Sequence, residues 1–420
     1  MRTSELLRPI LDGGIRSANF FNGRLLSAED LSREQSASRE ARRHLGRAIG
    51  EGVAYGFEVS KAPQAGLSAI VTVQPGLAIN RNGDVLKLPT AVDLSLVRPQ
   101  GTAVAAADAA AFDTCTPLQA GAYVTGSGVY LLTVSPAQGR EGRAPVSGLQ
   151  NAAAECNTKY LVEGVQFRLI QLDFTPDELN DALRLRNRVA FYCFGIAETQ
   201  AALADPFGPP LETYGLLDGL RPNRLTDCEM PLAVLFWTAT GGIRFIDLWS
   251  VRRKVTDVHI SPDWPGLISR RRLSEAEAML LQFEDQIEDL RVDESNLGSV
   301  VAARRFGFLP AAGLLPMASP NAPLGFNPIV FFGERGSSEV AMLDADSLRG
   351  LLQESLYHEP IGAARERIQL YAIWENVLAV ETGESVQPVL VFAKHTLGYR
   401  GVSRFGRAAW ALGRFANMVL

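Results

Sequence analysis

With 420 residues, 47% of them hydrophobic and 21% charged, the chain is too long for one small domain and too apolar to be mostly disordered. Its 41 lysines and arginines against 46 aspartates and glutamates leave a formal charge of -5, which argues against a nucleic-acid binder, whose footprint is a basic excess. Nowhere are there about 18 consecutive apolar residues, and the opening residues carry no signal-peptide run, so a soluble cytoplasmic protein is expected.

The first local signal is Ser27-Ala-Glu-Asp30, a serine cap with acids in the first turn, opening a stretch free of glycine and proline up to Leu45. A helix is expected there. Glu29 and Arg33 sit four apart on it, and Arg39, Arg43 and Arg47 fall on one stripe. Two readings of that stripe stand: a solvated face, or a surface that docks against an acidic partner.

From Gly50 the pattern becomes strand-like, with runs at Ile70–Val73, Leu77–Ile79 and Val85–Leu88, and Asn82-Gly83 suits a two-residue type I′ hairpin. Further strands are expected at Val129–Val134, Val162–Leu172, Val189–Ile196, Ala233–Trp237 and Ile243–Trp249. Between them, Thr175-Pro-Asp-Glu178 signals a helix carrying Leu179 and Leu183. The alanine-rich stretch 103–111 and the Gly/Pro/Ser-rich stretch 138–157 read as surface insertions.

Ser274-Glu-Ala-Glu277 is a capping box ahead of Met279, Leu280, Phe283, Ile287 and Leu290, a clean helical stripe expected to connect two domains. Arg270, Arg271 and Arg272 precede it, with Glu275 and Glu277 placed to form a local ion network, the alternative being partner docking. From Arg304 the chain reads as extended and turn-rich, then as a helix over 344–356 and strands over 368–374 and 388–393. Residues 404–420 interleave Arg404, Arg407 and Arg414 with Phe405, Trp410 and Phe415. A terminal helix packed on its own domain, or one that binds a partner or a membrane surface, fits that pattern.

Reactive chemistry is sparse. None of Lys61, Lys87, Lys159, Lys254 and Lys394 follows a glycine, so no P-loop exists. Gly50, Gly52 and Gly56 are mis-spaced for a dinucleotide fingerprint and follow a helix rather than a strand. Gly126-Ser127-Gly128 lacks the spacing of a nucleophile elbow. Of the 4 histidines, His259 makes the best local pair, with Asp257, and a polar loop is the simpler reading of that pair. The 4 cysteines, Cys115, Cys156, Cys193 and Cys228, form no C-x-x-C and read as reduced structural thiols, with a Cys115–Cys156 pairing the alternative for a protein that works outside the cell.

The blocks Ala18-Asn-Phe-Phe-Asn-Gly23, Glu34-Gln35, Gly52-Val53, Gly56-Phe-Glu-Val59, Val73-Gln-Pro-Gly-Leu-Ala-Ile79 and Asn82-Gly83 resemble the N-terminal region of proteins from contractile injection systems, the phage-tail-like particles with sheath, tube, spike and baseplate. Glu163-Gly164, Phe308-Leu-Pro-Ala-Ala-Gly-Leu-Leu-Pro316 and Phe331-Phe-Gly333 are similar to further blocks of that group. The resemblance implies a non-enzymatic structural component at the baseplate or around the spike, in several symmetric copies, with other baseplate or spike subunits as partners and no cofactor, metal or nucleic acid. A β-rich carbohydrate-binding or hydrolytic protein, or a membrane-surface adaptor of the same particle, is the alternative. Phe20 and Phe21 fit a docking arm as well as a core, and with Arg39, Arg43, Arg47, Trp410 and Arg414 they are the candidate docking residues.

The fold expected is α+β and β-rich. Its parts are an N-terminal turn and helical arm (1–56), a central antiparallel β-domain with insertions (57–260), a connecting helix (261–300) and a small α+β domain (301–420).

Overall fold

The computed structural model describes residues 19, 22, 27–62, 70–97, 124, 126–145, 156–205, 213–221, 223–255, 270–318, 324–343, 345–362, 366–373 and 388–397. It is an α+β structure with several antiparallel sheets, as the sequence implies.

The chain opens with helix α1 (Ala28–Ile49), where Ser27 and Asp30 complete a reciprocal capping box. The Asp30 amide donates to Ser27 Oγ at 3.1 Å and the Ser27 amide donates to Asp30 Oδ2 at 3.2 Å. Ser27→Ala is expected to cost about 1 kcal/mol, seen as faster amide exchange confined to the first turn of α1.

Strands β1 (Gly52–Gly56), β2 (Val59–Lys61), β3 (Ile70–Val73), β4 (Gly76–Ile79), β5 (Val85–Leu88) and β6 (Val92–Ser95) form two three-stranded sheets, ordered β1-β4-β5 and β2-β3-β6. The β4–β5 connection is not the two-residue hairpin expected. The Gly83 amide donates to Asn80 O at 2.9 Å, the Asn80 amide donates to Asp84 O at 3.1 Å, and only Gly83 has a positive φ, +82°. That is a type I turn followed by a left-handed glycine, the three-residue loop.

Next come β7 (Gly128–Pro145) and β8 (Cys156–Gln171), then α2 (Pro176–Asn180), α3 (Leu185–Cys193), α4 (Ile196–Ala204), α5 (Gly215–Leu220), β9 (Met230–Thr238) and β10 (Gly242–Asp247). Their sheet runs β10-β9-β7-β8. Alternation along β7 serves both faces. Tyr130, Leu132 and Val134 meet Phe57, Val71 and Leu86 of the small sheets, whereas Val129 and Leu131 meet Leu185, Val189 and Leu220 of the helices.

Three expectations are corrected here. The 189–196 run is helical, because α3 is buried on several sides and its continuous apolar residues imitate a core strand. The helix opened by Thr175 stops after one turn at Asp181, leaving Leu183 exposed. Residues 138–145 and 156–157 are not an insertion: β7 and β8 pair in unbroken register from Tyr130↔Gln171 to Pro145↔Cys156. Pairing of β9 with β7 ends at Val134, so beyond it the hairpin continues as a two-stranded ribbon.

Helix α6 (Arg270–Asp293) already includes Ser274, so that serine is interior, not a cap. Of the residues expected in a local ion network, Arg272 reaches instead to Glu359 at 3.1 Å and donates to His358 O at 2.9 Å, and Glu277 pairs with Lys254; the side chains of Arg270 and Arg271 lie outside those described. Then follow α7 (Ala302–Arg305), β11 (Phe308–Leu309), β12 (Ala312–Pro316), α8 (Pro328–Phe332), a 3-10 turn (Gly333–Arg335), β13 (Gly336–Leu343), α9 (Ala345–Ser355), β14 (Ile361–Gly362), β15 (Ile368–Ile373) and β16 (Val389–Lys394). The sheet β12-β16-β15-β13 is antiparallel except at its β13–β15 edge. One face packs Leu315, Leu370, Leu390 and Phe392 against Phe283 and Ile287 of α6, and the other packs Tyr371 and Val391 against Leu351 of α9. A chain of ring contacts links Phe283, Phe306, Phe331, Phe332 and Phe392 at centroid distances of 4.9–6.0 Å.

Helix α3 ties the two halves together. Asn187 Oδ1 accepts from the Gly307 amide at 2.7 Å, and Arg184 Nη2 donates to Ala303 O at 2.8 Å. Arg186 donates through Nε to Asp247 Oδ2 at 3.0 Å and also pairs with Asp289 of α6. Burial works against the Arg186 charge, but the two carboxylates more than offset it and hold the guanidinium above the ordinary arginine range.

Cys193 is a free buried thiol pushed up to about 12 by burial. Cys228 is disulfide-bonded, so the reading of four reduced thiols fails there.

Candidate assembly interface

Helix α1 rests on the β4–β5 turn and the base of the ribbon, and arginines fix it there. Arg43 Nε meets Asp84 Oδ1 at 2.5 Å, Arg47 Nε donates to Asn82 O at 3.1 Å, and Arg39 Nη2 lies 3.5 Å from Glu163 Oε1 on β8. The candidate stripe Arg39, Arg43 and Arg47 therefore meets acidic and carbonyl groups of its own chain. Between these contacts helix and turn touch backbone to backbone. A Cβ on Gly46 would stand 2.2 Å from Gly83 O, and one on Gly83 would stand 2.1 Å from Arg43 O. This close approach is why α1 carries a glycine in its last turns.

The turn beneath is itself immobilised. Asn80, 1% exposed, donates to Cys228 O at 2.9 Å and accepts from the Asp84 amide at 2.8 Å. Arg81 bridges Glu51 at 2.8 Å and Asp218 at 2.9 Å, and although burial opposes its charge these carboxylates hold its guanidinium above the ordinary range.

Alongside exposed charges such as Glu29, Arg33, Glu40 and Arg42, α1 turns three large apolar side chains to solvent. Leu31, Leu45 and Ile49 are 51%, 65% and 57% exposed. At 3.6 residues per turn they lie within roughly 40° of one another, on a different stripe from the three arginines. On the adjacent ribbon Tyr160, Leu161 and Val162 are exposed too. An ordinary surface helix buries its apolar stripe; α1 buries only Ala37 and Gly46 and leaves Leu31, Leu45 and Ile49 outside.

Phe20, Phe21, Trp410 and Arg414 lie outside the described residues, as do Asp257 and His259. Among the described residues no group of three or more His, Cys, Asp and Glu is placed to hold a metal ion, and no helix is long and apolar enough to cross a membrane.

Solved structures similar to this chain are type VI secretion baseplate proteins. A chain of the TssK-TssF-TssG baseplate subcomplex is 11% identical over 67% of this chain and 73% of that one, with a TM-score of 0.26. A chain of the type VI baseplate complex is 12% identical over 69% and 52%, and TssK is 7% identical over 67% and 50%, both again with a TM-score of 0.26. In the last two the match spans about half of the other chain. At this TM-score the likeness does not amount to a shared fold. No family model matches the chain, and no curated protein does.

The outward stripe of α1 went unread in the sequence because Gln35, Ser38 and Arg42 interrupt it. A helical wheel drawn from Leu31 through Ile49 is the signal that would have found it.

Proposed function

We propose that this chain is a structural, non-catalytic component of a contractile injection particle, placed at the baseplate or around the spike, and that it assembles with other subunits through the outer stripe of α1. The observation that carries this reading is the exposed apolar stripe of α1: Leu31, Leu45 and Ile49 face outward while Arg39, Arg43 and Arg47, on a different stripe, contact the chain's own turn and ribbon. Apolar side chains held on the outside by inward ion pairs suit a surface that a neighbour covers. The blocks that resemble contractile-system proteins support the same reading, since Glu34-Gln35, Asn82-Gly83 and Glu163-Gly164 come from α1, its turn and its ribbon. Phe20 and Phe21, directly ahead of the cap in the sequence, are proposed to extend the contact.

Native particles pelleted through a density gradient test this reading. The wild-type chain is expected to sediment with sheath and tube. The pair Leu45→Ser and Ile49→Ser, on exposed positions, is expected to keep the wild-type urea midpoint and to remain at the top of the gradient. Recovery of the wild-type chain only in the soluble fraction would overturn the particle reading, and normal incorporation of the double variant would overturn the role of α1.

A further inference from the structure

In the C-terminal half, one cation has no counter-charge among the described residues. Arg335 closes the 3-10 turn after α8, and its Nη1 is shut off from solvent with no hydrogen-bond partner. Other desolvated arginines here have carboxylates: Arg81 has Glu51 and Asp218, Arg168 has Glu229, Arg186 has Asp247, and Arg272 has Glu359. Arg335 has none among the described residues, and burial alone holds its guanidinium below the ordinary arginine range. The rest of the side chain is half-buried and within reach of an outside partner, and a charge partly withdrawn from water without a partner is a cost that a folded chain ordinarily avoids.

The surroundings specify what would relieve it. Ile329, on the preceding helix α8, is 78% exposed, Val330 is 37% exposed and Leu324 is 57% exposed. α8 is pinned by Asn327, whose Oδ1 accepts from the Ile329 amide at 3.0 Å and the Val330 amide at 3.3 Å, and by Phe331 and Phe332 in the core beneath. The outward pose of Ile329 is therefore built in rather than frayed. Immediately after Arg335 runs β13, the edge of its sheet, with Val340 exposed.

We propose that α8, Arg335 and the β13 edge form a second docking surface, whose occupant is a segment of another protein that carries a carboxylate flanked by aliphatic side chains. The carboxylate takes Arg335, for which a guanidinium fork is the matched donor, and the aliphatic groups cover Ile329 and Val330. A nucleic acid or other polyanion fits poorly, because Glu334 is exposed beside the lone cation and the flanking groups are aliphatic rather than aromatic. A basic segment would add like charge to Arg335. This surface is separate from α1 and does not depend on the particle reading.

The test uses the full chain and short fluorescein-labelled peptides of alternating leucine and glutamate, leucine and glutamine, or leucine and lysine, followed by anisotropy. Wild-type chain is expected to bind the glutamate peptide about tenfold more tightly than the glutamine one, the ratio that one charge-assisted contact supplies. Arg335→Gln is expected to erase that preference while its urea midpoint stays at or above that of the wild type. Ile329→Ser is expected to weaken both peptides and leave the preference intact. Equal affinity for the acidic and amide peptides, no saturation by either, a preference that survives Arg335→Gln, or tighter binding of a single-stranded oligonucleotide would each overturn the proposal. So would a lower urea midpoint for Arg335→Gln, which would mean that the cation already has a partner within the chain.

Discussion

Asp247→Ala is expected to destabilise the joint between the central sheet and the C-terminal half by about 3–5 kcal/mol, the usual cost of removing one partner from a buried ion pair. The Asp247 carboxylate is 0% exposed and serves three donors: Arg186 Nε at 3.0 Å, Gln282 Nε2 at 2.9 Å and the Ser250 amide at 2.9 Å. Without it Arg186, 7% exposed, keeps as its direct ion-pair partner Asp289, whose side chain is 59% exposed and screened by water, with Asp285 farther off. Asp289→Ala removes that outer carboxylate and is expected to cost less than about 1 kcal/mol. Urea unfolding read at Trp249, which neighbours this network in the sequence, should separate the two variants, with amide exchange in α3 and α6 accelerated in the first alone. Equal costs for the two would mean that the buried carboxylate does not anchor the joint.

Arg186 and Asp247 could not have been paired from the sequence, because 61 residues separate them and neither belongs to a local motif. The same division runs through the fold. The α1 cap was legible because Ser27 and Asp30 are three residues apart and their hydrogen bonds are made within one turn. β9 and β10 were legible because Thr240-Gly-Gly242 joins them directly. The ribbon was hidden because Gly139, Gly142 and Pro145 are loop residues by local preference, and only pairing with residues up to Cys156 on β8 makes them a strand. α3 was misread for a related reason: burial on several sides removes the polar face that gives an ordinary helix its period.

The candidate interface was half legible. The alignment of Arg39, Arg43 and Arg47 on one stripe followed from helical spacing, but their acceptors Asp84, Asn82 and Glu163 are brought there by the turn and the ribbon. The choice between a solvated face and an acidic partner was thus incomplete. The acidic groups belong to the chain itself, Arg47 stays exposed, and a neighbouring apolar stripe faces outward as well.

Gly46→Ala sets two effects of opposite sign against each other. In an isolated helix alanine is better than glycine by about 1 kcal/mol, so α1 alone gains. In place, the new Cβ meets Gly83 O at 2.2 Å, and that neighbour is backbone in a turn held by Asn80 and Arg81, so it has little room to retreat. Overpacking of this kind costs about 1–3 kcal/mol, with a clash against backbone toward the upper end. The docking it opposes rests on few contacts, because an exposed ion pair such as that of Arg39 contributes about 0.2–1 kcal/mol, Arg43 and Asp84 add one part-buried pair, and only Ala37 and Gly46 of α1 are buried. The clash therefore wins: α1 is expected to lift from the turn while the sheets keep their wild-type urea midpoint. Limited trypsin digestion reads this directly, since Arg39, Arg42, Arg43 and Arg47 become cleavage sites once the helix is released. Rapid cutting there in Gly46→Ala, with the remainder of the chain intact, is the expected outcome, and protection equal to the wild type would show that α1 does not seat on Gly83.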